Sequence, residues 1–124
     1  MLSKNQMVMV RKAIEMTYEG KCTITEHQKV TKPNKSTGFQ DVVVLEEQPC
    51  KLSFEKITTN ANTANAARLI QTAKVLIAPE IHIKPGSKLT ITQNGVVSEY
   101  KQSGEPATYA SHQEIMLELF DGWA

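Results

Sequence analysis

Five residues have side chains that commonly bind metals or act as nucleophiles and bases, and their spacing favours neither role. They are Cys22, His27, Cys50, His82 and His112. Zinc motifs are specific because pairs of ligands stand close together in the sequence, and this chain has no such pair. Cys22 and His27 would face opposite sides of one strand, which disfavours a local cysteine–histidine nucleophile and leaves a long-range pair open. We therefore expect no bound metal and no cofactor.

The other residues capable of chemistry also favour structural roles. Both cysteines fall on the predicted inward face of a strand, where cysteine behaves as a small hydrophobic residue. His82 is expected to lie on a strand, on the face opposite Ile81 and Ile83, and to point outward or into an interface. His112 is expected to begin a strand or a turn. The neighbouring carboxylates Glu46 and Glu47 face opposite ways and are expected to be solvated. Because the sequence also lacks a P-loop, G-x-G-x-x-G or G-x-S-x-G motif, we expect no enzymatic activity.

Composition is that of an ordinary globular protein. The 124 residues fit one domain, 1–124, and 14 basic against 13 acidic residues give no overall attraction to nucleic acid or membrane. No stretch approaches the roughly 20 apolar residues needed to span a bilayer. The apolar run among the first residues is also too short for a signal peptide. We expect synthesis in a cytoplasm, with no disulfide framework.

The elements that must position these residues are one helix and a series of short strands. Apolar residues at near-helical spacing predict a helix over residues 4–17. Alternation predicts strands at "KCTITEH", "CKLSFEKI" and "KLTITQNGVVSEY", and β-branched residues predict one at "FQDVVVL", which Pro49 separates from "CKLSFEKI". Turns are expected at Pro85-Gly86 and Asn94-Gly95. The final segment, "ATYASHQEIMLELF", is ambiguous between helix and strand, and its alternation favours a strand.

These patterns predict a mainly β fold: a small antiparallel β-barrel or sandwich of seven or eight short strands with one N-terminal helix. The barrel would occupy residues 20–120, with a long polar loop at about 53–74. That loop contains "TTNANTANAARLIQTA" and lacks the alternation of the segments around it.

Two segments contain basic residues and no acid. Lys29, Lys32 and Lys35 lie between Glu26 and Asp41 in a predicted hairpin loop. A second acid-free segment, between Glu55 and Glu80, carries the bases Lys56, Arg68 and Lys74. Either both segments are solvated loops, or both face something anionic. A barrel that binds single-stranded nucleic acid is a weaker alternative, because Phe54 is predicted to be buried and neither Tyr100 nor Tyr109 adjoins a basic cluster.

The order of these elements resembles that of the head-completion, or stopper, proteins of the head-to-tail connector in long-tailed bacteriophages and prophages. The resemblance covers about Tyr18 to Trp123. It depends on a hairpin loop ending in Gly38-Phe39, "QPCKLS" before a long polar insertion, the basic turn in "IHIKPGSKLTI", and the closing "SGEPATYASHQEIMLEL".

The resemblance implies a non-enzymatic virion protein. It would form a homo-oligomeric ring beneath the phage portal and adaptor proteins, with tail proteins docking on the opposite face and double-stranded DNA passing through the channel. The insertion at about Ser53–Lys74 would close the channel after packaging. The residues that would line this gating loop are Lys56, Thr58, Asn60, Asn62, Asn65, Arg68, Gln71 and Lys74.

The helix over residues 1–17 departs from the smallest stoppers, whose chain begins near the first strand. Three explanations of this helix stay open: it docks on a neighbouring subunit, it docks on the adaptor, or the protein takes a different position in the connector. A head–tail adaptor or tail-completion ring without a gate is therefore the alternative function.

Overall fold

The helix that the N-terminal sequence pattern predicts is present and begins at the predicted residue, Lys4. The computed structural model describes residues 3–60 and 67–123, and side chains are described except at 56–60 and 67–71. Helix α1 spans Lys4–Glu15 and begins with a capping box, in which Ser3 and Gln6 exchange side-chain-to-backbone hydrogen bonds. It ends two residues earlier than predicted, and Gly20 begins the first strand instead of following the helix as a simple stop.

Seven antiparallel strands follow the helix, which confirms the predicted mainly β class. They are β1 (Gly20–Thr31), β2 (Thr37–Asn60), β3 (Ala67–Ile77), β4 (Lys88–Gln93), β5 (Val96–Gln102), β6 (Ala107–Thr108) and β7 (Gln113–Leu119). Their order in the sheet is β3-β2-β1-β4-β5-β7-β6, and β7 also pairs with β3. Because that pairing returns the sheet to its first strand, six strands form a nearly closed ring and β6 extends β7 at one end.

The inward faces of the strands fill the ring with aliphatic side chains. The fully buried residues are Cys22, Ile24, Cys50, Val75, Ile77, Leu89, Ile91 and Ile115. Both cysteines are free thiols in this core, as predicted. In β7, Ile115 and Leu117 face inward while Met116 and Glu118 are exposed, which confirms the strand assignment of the ambiguous last segment.

Turn residues account for the tight connections. Asn94 and Gly95 both have positive φ, 54° and 76°, as a type I′ hairpin requires. Gly86 has φ 85°, and the Ser87 amide donates to the Lys84 carbonyl at 3.1 Å, so Pro85-Gly86 forms the predicted turn.

Two glutamine side chains replace backbone pairing where the sheet is interrupted. The Gln93 amide bonds both peptide groups of Leu52: its Oε1 accepts from the amide at 2.9 Å and its Nε2 donates to the carbonyl at 3.0 Å. Gly20 makes room for this bridge, since a Cβ there would lie 3.0 Å from Gln93 Oε1. Gln113 is buried and donates from Nε2 to the carbonyls of Ala78 and Ile81. It thereby anchors the loop between β3 and β4.

Two boundary predictions were wrong. Pro49 does not separate two strands, because β2 runs through it: Glu47 has φ 50° and the register against β1 shifts nearby, as at a bulge. The strand changes partner here, pairing with β1 up to Cys50 and with β3 beyond it. The segment Ile81–Ile83 is loop and not strand, although its alternation holds, with Ile83 buried and His82 exposed.

Candidate functional site

Strand β2 is longer than the barrel needs, and each of its ends forms a two-stranded hairpin that extends beyond the ring. Pairing of β1 with β4 ends at Thr25 and Lys88, so residues 26–42 pair only with each other; we call them the first arm. Pairing of β3 with β7 ends at Ala73 and Leu117, so residues 55–60 and 67–72 pair only with each other; we call these paired residues the second arm. The three lysines of the first acid-free segment lie in the first arm, and Lys56 and Arg68 of the second segment lie in the second arm, at the other end of β2.

The first arm carries an exposed basic tip. Lys29, Lys32 and Lys35 are all exposed. The tip is a tight turn in which the Lys32 amide donates to the Ser36 carbonyl at 2.8 Å and Lys35 has φ 65°. The predicted loop is therefore a short turn between paired strands, with three cations on one hairpin.

An aromatic cluster that the sequence did not predict holds the base of the first arm. The His27 ring stacks on Phe39 and on Trp123 with centroid separations of 4.7 and 4.8 Å. His27 Nδ1 also lies 2.8 Å from Asp41 Oδ1. Lys88 Nζ lies 5.8 Å from the centroid of the Trp123 ring. Trp123 thus lies near Lys88 of β4 and packs against the first arm.

A groove of about 610 Å³ lies between this cluster and the Pro85-Gly86 turn. Its lining includes one pair of opposite charges, with Lys84 Nζ 3.8 Å from Glu26 Oε1, and also Lys29. The groove therefore combines an aromatic surface with a small excess of basic side chains.

The second arm corrects the prediction of a long loop at 53–74. β2 continues to Asn60 and β3 begins at Ala67, so most of those residues belong to paired strands. Lys56 pairs with Gln71, Thr58 with Leu69, Thr59 with Arg68 and Asn60 with Ala67. A ladder is held by backbone hydrogen bonds and needs no alternation of apolar side chains, which is why the polar composition misled the prediction. The predicted positions Asn62 and Asn65 lie outside the described residues.

Lys74 belongs to the barrel wall instead of the arm. Its Nζ lies 3.0 Å from Glu114 Oε1, and His112 Nε2 lies 3.0 Å from the other oxygen of that carboxylate. The hydrogen bond to Glu114 raises the pKa of Lys74, while the hydrogen bonds of His112 and Lys74 lower the pKa of Glu114. The Lys74 charge is therefore compensated, which weakens its predicted role in the gating segment.

An apolar cleft of about 500 Å³, which we call the root cleft, lies where the second arm leaves the barrel. Its lining residues are Phe54, Thr72, Ala73, Tyr100, Leu117, Glu118 and Leu119. Phe54 is 53% exposed and Leu119 72% exposed, although strand parity predicted that both face the core. The sheet opens here as β2 and β3 depart, so inward parity no longer means burial.

The remaining candidate residues show no metal-site geometry. Within residues 3–60 and 67–123, no three His, Cys, Asp or Glu side chains gather as metal ligands would. His112 is half-buried beside Ser111 and Glu114, at the start of β7 as predicted. Glu46 and Glu47 are exposed, as predicted. The one helix in the described part of the chain is too short and too polar to cross a bilayer.

Comparisons with known proteins give one structural similarity. No protein-family model matches the chain, and no curated protein sequence matches it. Among solved structures, the chain is similar to the phage-like element PBSX protein xkdH from Bacillus subtilis, with a TM-score of 0.44 and 13% identity. The similarity covers 82% of this chain and 92% of that one.

Proposed function

We propose that this protein is a virion component of the phage head-to-tail connector. Copies would form a ring beneath the portal or its adaptor, join the head to the tail, and close the DNA channel after packaging. The second arm is the element that would project into the channel and close it. The order of sequence elements that resembles the stopper proteins supports this assignment.

The single structural observation that carries the gate is the geometry of the second arm. Six residue pairs beyond the barrel, from Glu55–Thr72 to Asn60–Ala67, make a ribbon of about 20 Å at roughly 3.3 Å per residue. Such a ribbon reaches well beyond the barrel wall, yet only its two strands hold it. In a ring, one arm from each copy could therefore meet near the axis and move without unfolding the barrel.

The charge of the second arm suits a DNA-facing surface. Residues 56–72 contain Lys56 and Arg68 and no acid. Double-stranded DNA carries about one negative charge per 1.7 Å of its axis, so carboxylates lining its passage would repel it. A sparse positive charge repeated around a ring would let DNA pass without binding it tightly.

Shortening the arm tests the gate separately from the joining role. Deletions within Ala61–Ala67 should leave the barrel folded, because β3 pairs with the barrel strand β7 only from Ala73 onwards and changes in the length of a connection cost little free energy. Heads assembled with the shortened protein should lose packaged DNA while still attaching tails. The measurements are the nuclease-protected DNA per purified particle and the fraction of tailed particles in electron micrographs.

A matching deletion of residues 33–35 at the tip of the first arm is the control, and it should leave DNA retention unchanged. Full retention with the shortened second arm would refute the gate and favour an adaptor or tail-completion ring. Absence of the protein from purified particles would refute the connector role itself.

A further inference from the structure

Helix α1 has a second apolar face that lies open to solvent. Met9, Ala13 and Met16 stand at spacings of four and three residues and share one side of the helix. Met9 is 71% exposed and Met16 80% exposed, whereas Met7 and Ile14 on the other side are half-buried. A helix with apolar residues on two sides is typical of one that packs between two surfaces.

The helix is held only lightly by its own barrel. None of its side chains is buried, and the described hydrophobic core includes none of them. Its long-range polar contact is the ion pair between Arg11 and Glu80. An isolated helix of this length is marginal in water, so a second packing surface would stabilise it.

The root cleft provides a surface of the matching kind. Phe54 and Leu119 are large apolar side chains open to solvent, and Leu117 and Tyr100 lie buried beneath them. Exposed apolar clefts with a polar rim commonly mark protein–protein contacts. Glu118 lines this cleft and is 54% exposed. It shares the Lys101 ammonium with Asp121, at 3.5 and 2.8 Å, so these three side chains together keep one net negative charge. Lys12, three residues after Met9 and four before Met16, supplies the complementary charge on the helix.

The two surfaces occupy different places on one barrel. The Arg11–Glu80 ion pair holds the helix beyond the end of β3 at Ile77, whereas the cleft lies at Ala73. The four residue steps from Ala73 to Ile77 alone span about 13 Å of strand at roughly 3.3 Å per step. Two distinct, complementary patches on one chain make a head-to-tail contact, and such contacts form rings when the rotation closes.

We infer that the Met9–Ala13–Met16 face of α1 in one copy packs into the root cleft of the next copy, with Lys12 beside Glu118. This inference rests on the homo-oligomeric ring of the proposed function and identifies the interface that would build it. It also gives the N-terminal helix a role as the connecting element between subunits.

Cross-linking between two variants that each carry one exposed cysteine tests the contact. Met9→Cys and Leu119→Cys each add one exposed thiol, while the native Cys22 and Cys50 are fully buried. The full-length variants are mixed at up to millimolar concentration and treated with a short bis-maleimide. The mixture should give cross-linked dimers in far higher yield than either variant alone, and the double variant should give a ladder of multimers.

Substitutions measure how much the contact contributes. Met16→Asp should weaken self-association in sedimentation velocity by roughly tenfold or more, because it removes an apolar side chain from the contact. Val96→Asp is the matched control, since Val96 is equally apolar, 62% exposed and outside the cleft. It should leave association unchanged.

Failure of the inference can be told apart from failure of the proposed function. Equal cross-linking in each variant alone would indicate a symmetric dimer and overturn the head-to-tail contact. A chain that stays monomeric at all concentrations would overturn the interface and leave the connector role intact. Rings that form in particles without this cross-link would have the same meaning. Head-to-tail multimers of a protein that is absent from phage particles would support the interface and overturn the connector role.

Discussion

The Gln93 side chain is expected to close a gap in the barrel between β2 and β4. Replacing it should therefore lower the free energy of unfolding substantially. Strand β1 begins at Gly20, so next to Leu52 there is no β1 residue to complete the ladder between β2 and β4. The Gln93 amide takes that place with one accepted and one donated hydrogen bond. Gln93→Ala removes both and leaves the two peptide groups of Leu52 without partners.

The expected magnitude follows from those two hydrogen bonds. Each contributes about 1 kcal/mol net, and a partly buried peptide group left unpaired costs about 1–3 kcal/mol, reduced wherever water enters the space left by the side chain. We therefore expect a loss of about 2–4 kcal/mol in the free energy of unfolding. For a domain of this size that corresponds to a fall in Tm of roughly 10 °C.

Urea and thermal denaturation followed by circular dichroism measure this loss. The control is Gln40→Ala, which truncates an exposed glutamine on the first arm and should change stability by less than about 0.5 kcal/mol. If Gln93→Ala and Gln40→Ala unfold at the same urea concentration as the wild type, the bridge to Leu52 does not close the barrel.

Gln93→Glu probes the same bridge through its pH dependence. The introduced carboxylate can still accept from the Leu52 amide, but it faces the Leu52 carbonyl without a proton to donate. Protonation restores a donor, so the pKa of this carboxyl should be raised in the folded state. The restored stability should be present below the unfolded pKa of about 4.3 and lost as pH rises through the folded value. The deficit relative to wild type should therefore shrink on acidification.

Two further predictions test the last strand and its charges. Leu117→Asp should abolish cooperative unfolding in circular dichroism, because it buries a charge. The control, Leu119→Asp, changes an exposed position and should fold. A cooperatively melting Leu117→Asp protein would refute the assignment of Leu117 to the inward face of β7. The lowered pKa of Glu114, caused first by His112 and then by Lys74, contributes stability that is present above the unfolded pKa of about 4.3 and is lost as pH falls through the lower folded value. Glu114→Gln should accordingly be less stable than wild type near pH 6, with the difference shrinking in urea titrations as pH falls below about 4.3. A difference independent of pH would contradict this origin.

The sequence predicted the parts of the fold that local chemistry determines. Alternation in "KLTITQ" and "QEIMLEL" placed Leu89, Ile91 and Ile115 in the core, because strand parity alone decides which face a side chain takes. Asn94-Gly95 predicted its hairpin because both residues tolerate positive φ. These signals extend over a few residues and require no knowledge of partners.

The candidate site was less predictable because it depends on which strands become neighbours. The acid-free composition located both arms, but the paired strands of the second arm had no alternation to reveal them. Phe54 follows the inward parity of β2 and is exposed because the sheet opens beside it. The stacking of His27 on Trp123 joins distant parts of the chain, and no local pattern could have indicated it.

The course of β2 limits which of the two acid-free segments can meet the same DNA. The strand runs for 24 residues, from Thr37 beside the tip of the first arm to Asn60 in the second arm, with the bulge at Glu47 between them. The two arms therefore leave the barrel from opposite ends of one strand, and we expect that one copy does not place both on the same short stretch of DNA. If the second arm points to the channel axis, the lysines of the first arm are directed elsewhere on the ring, where their partner is either the surface of an adjoining connector protein or DNA at another level of the channel.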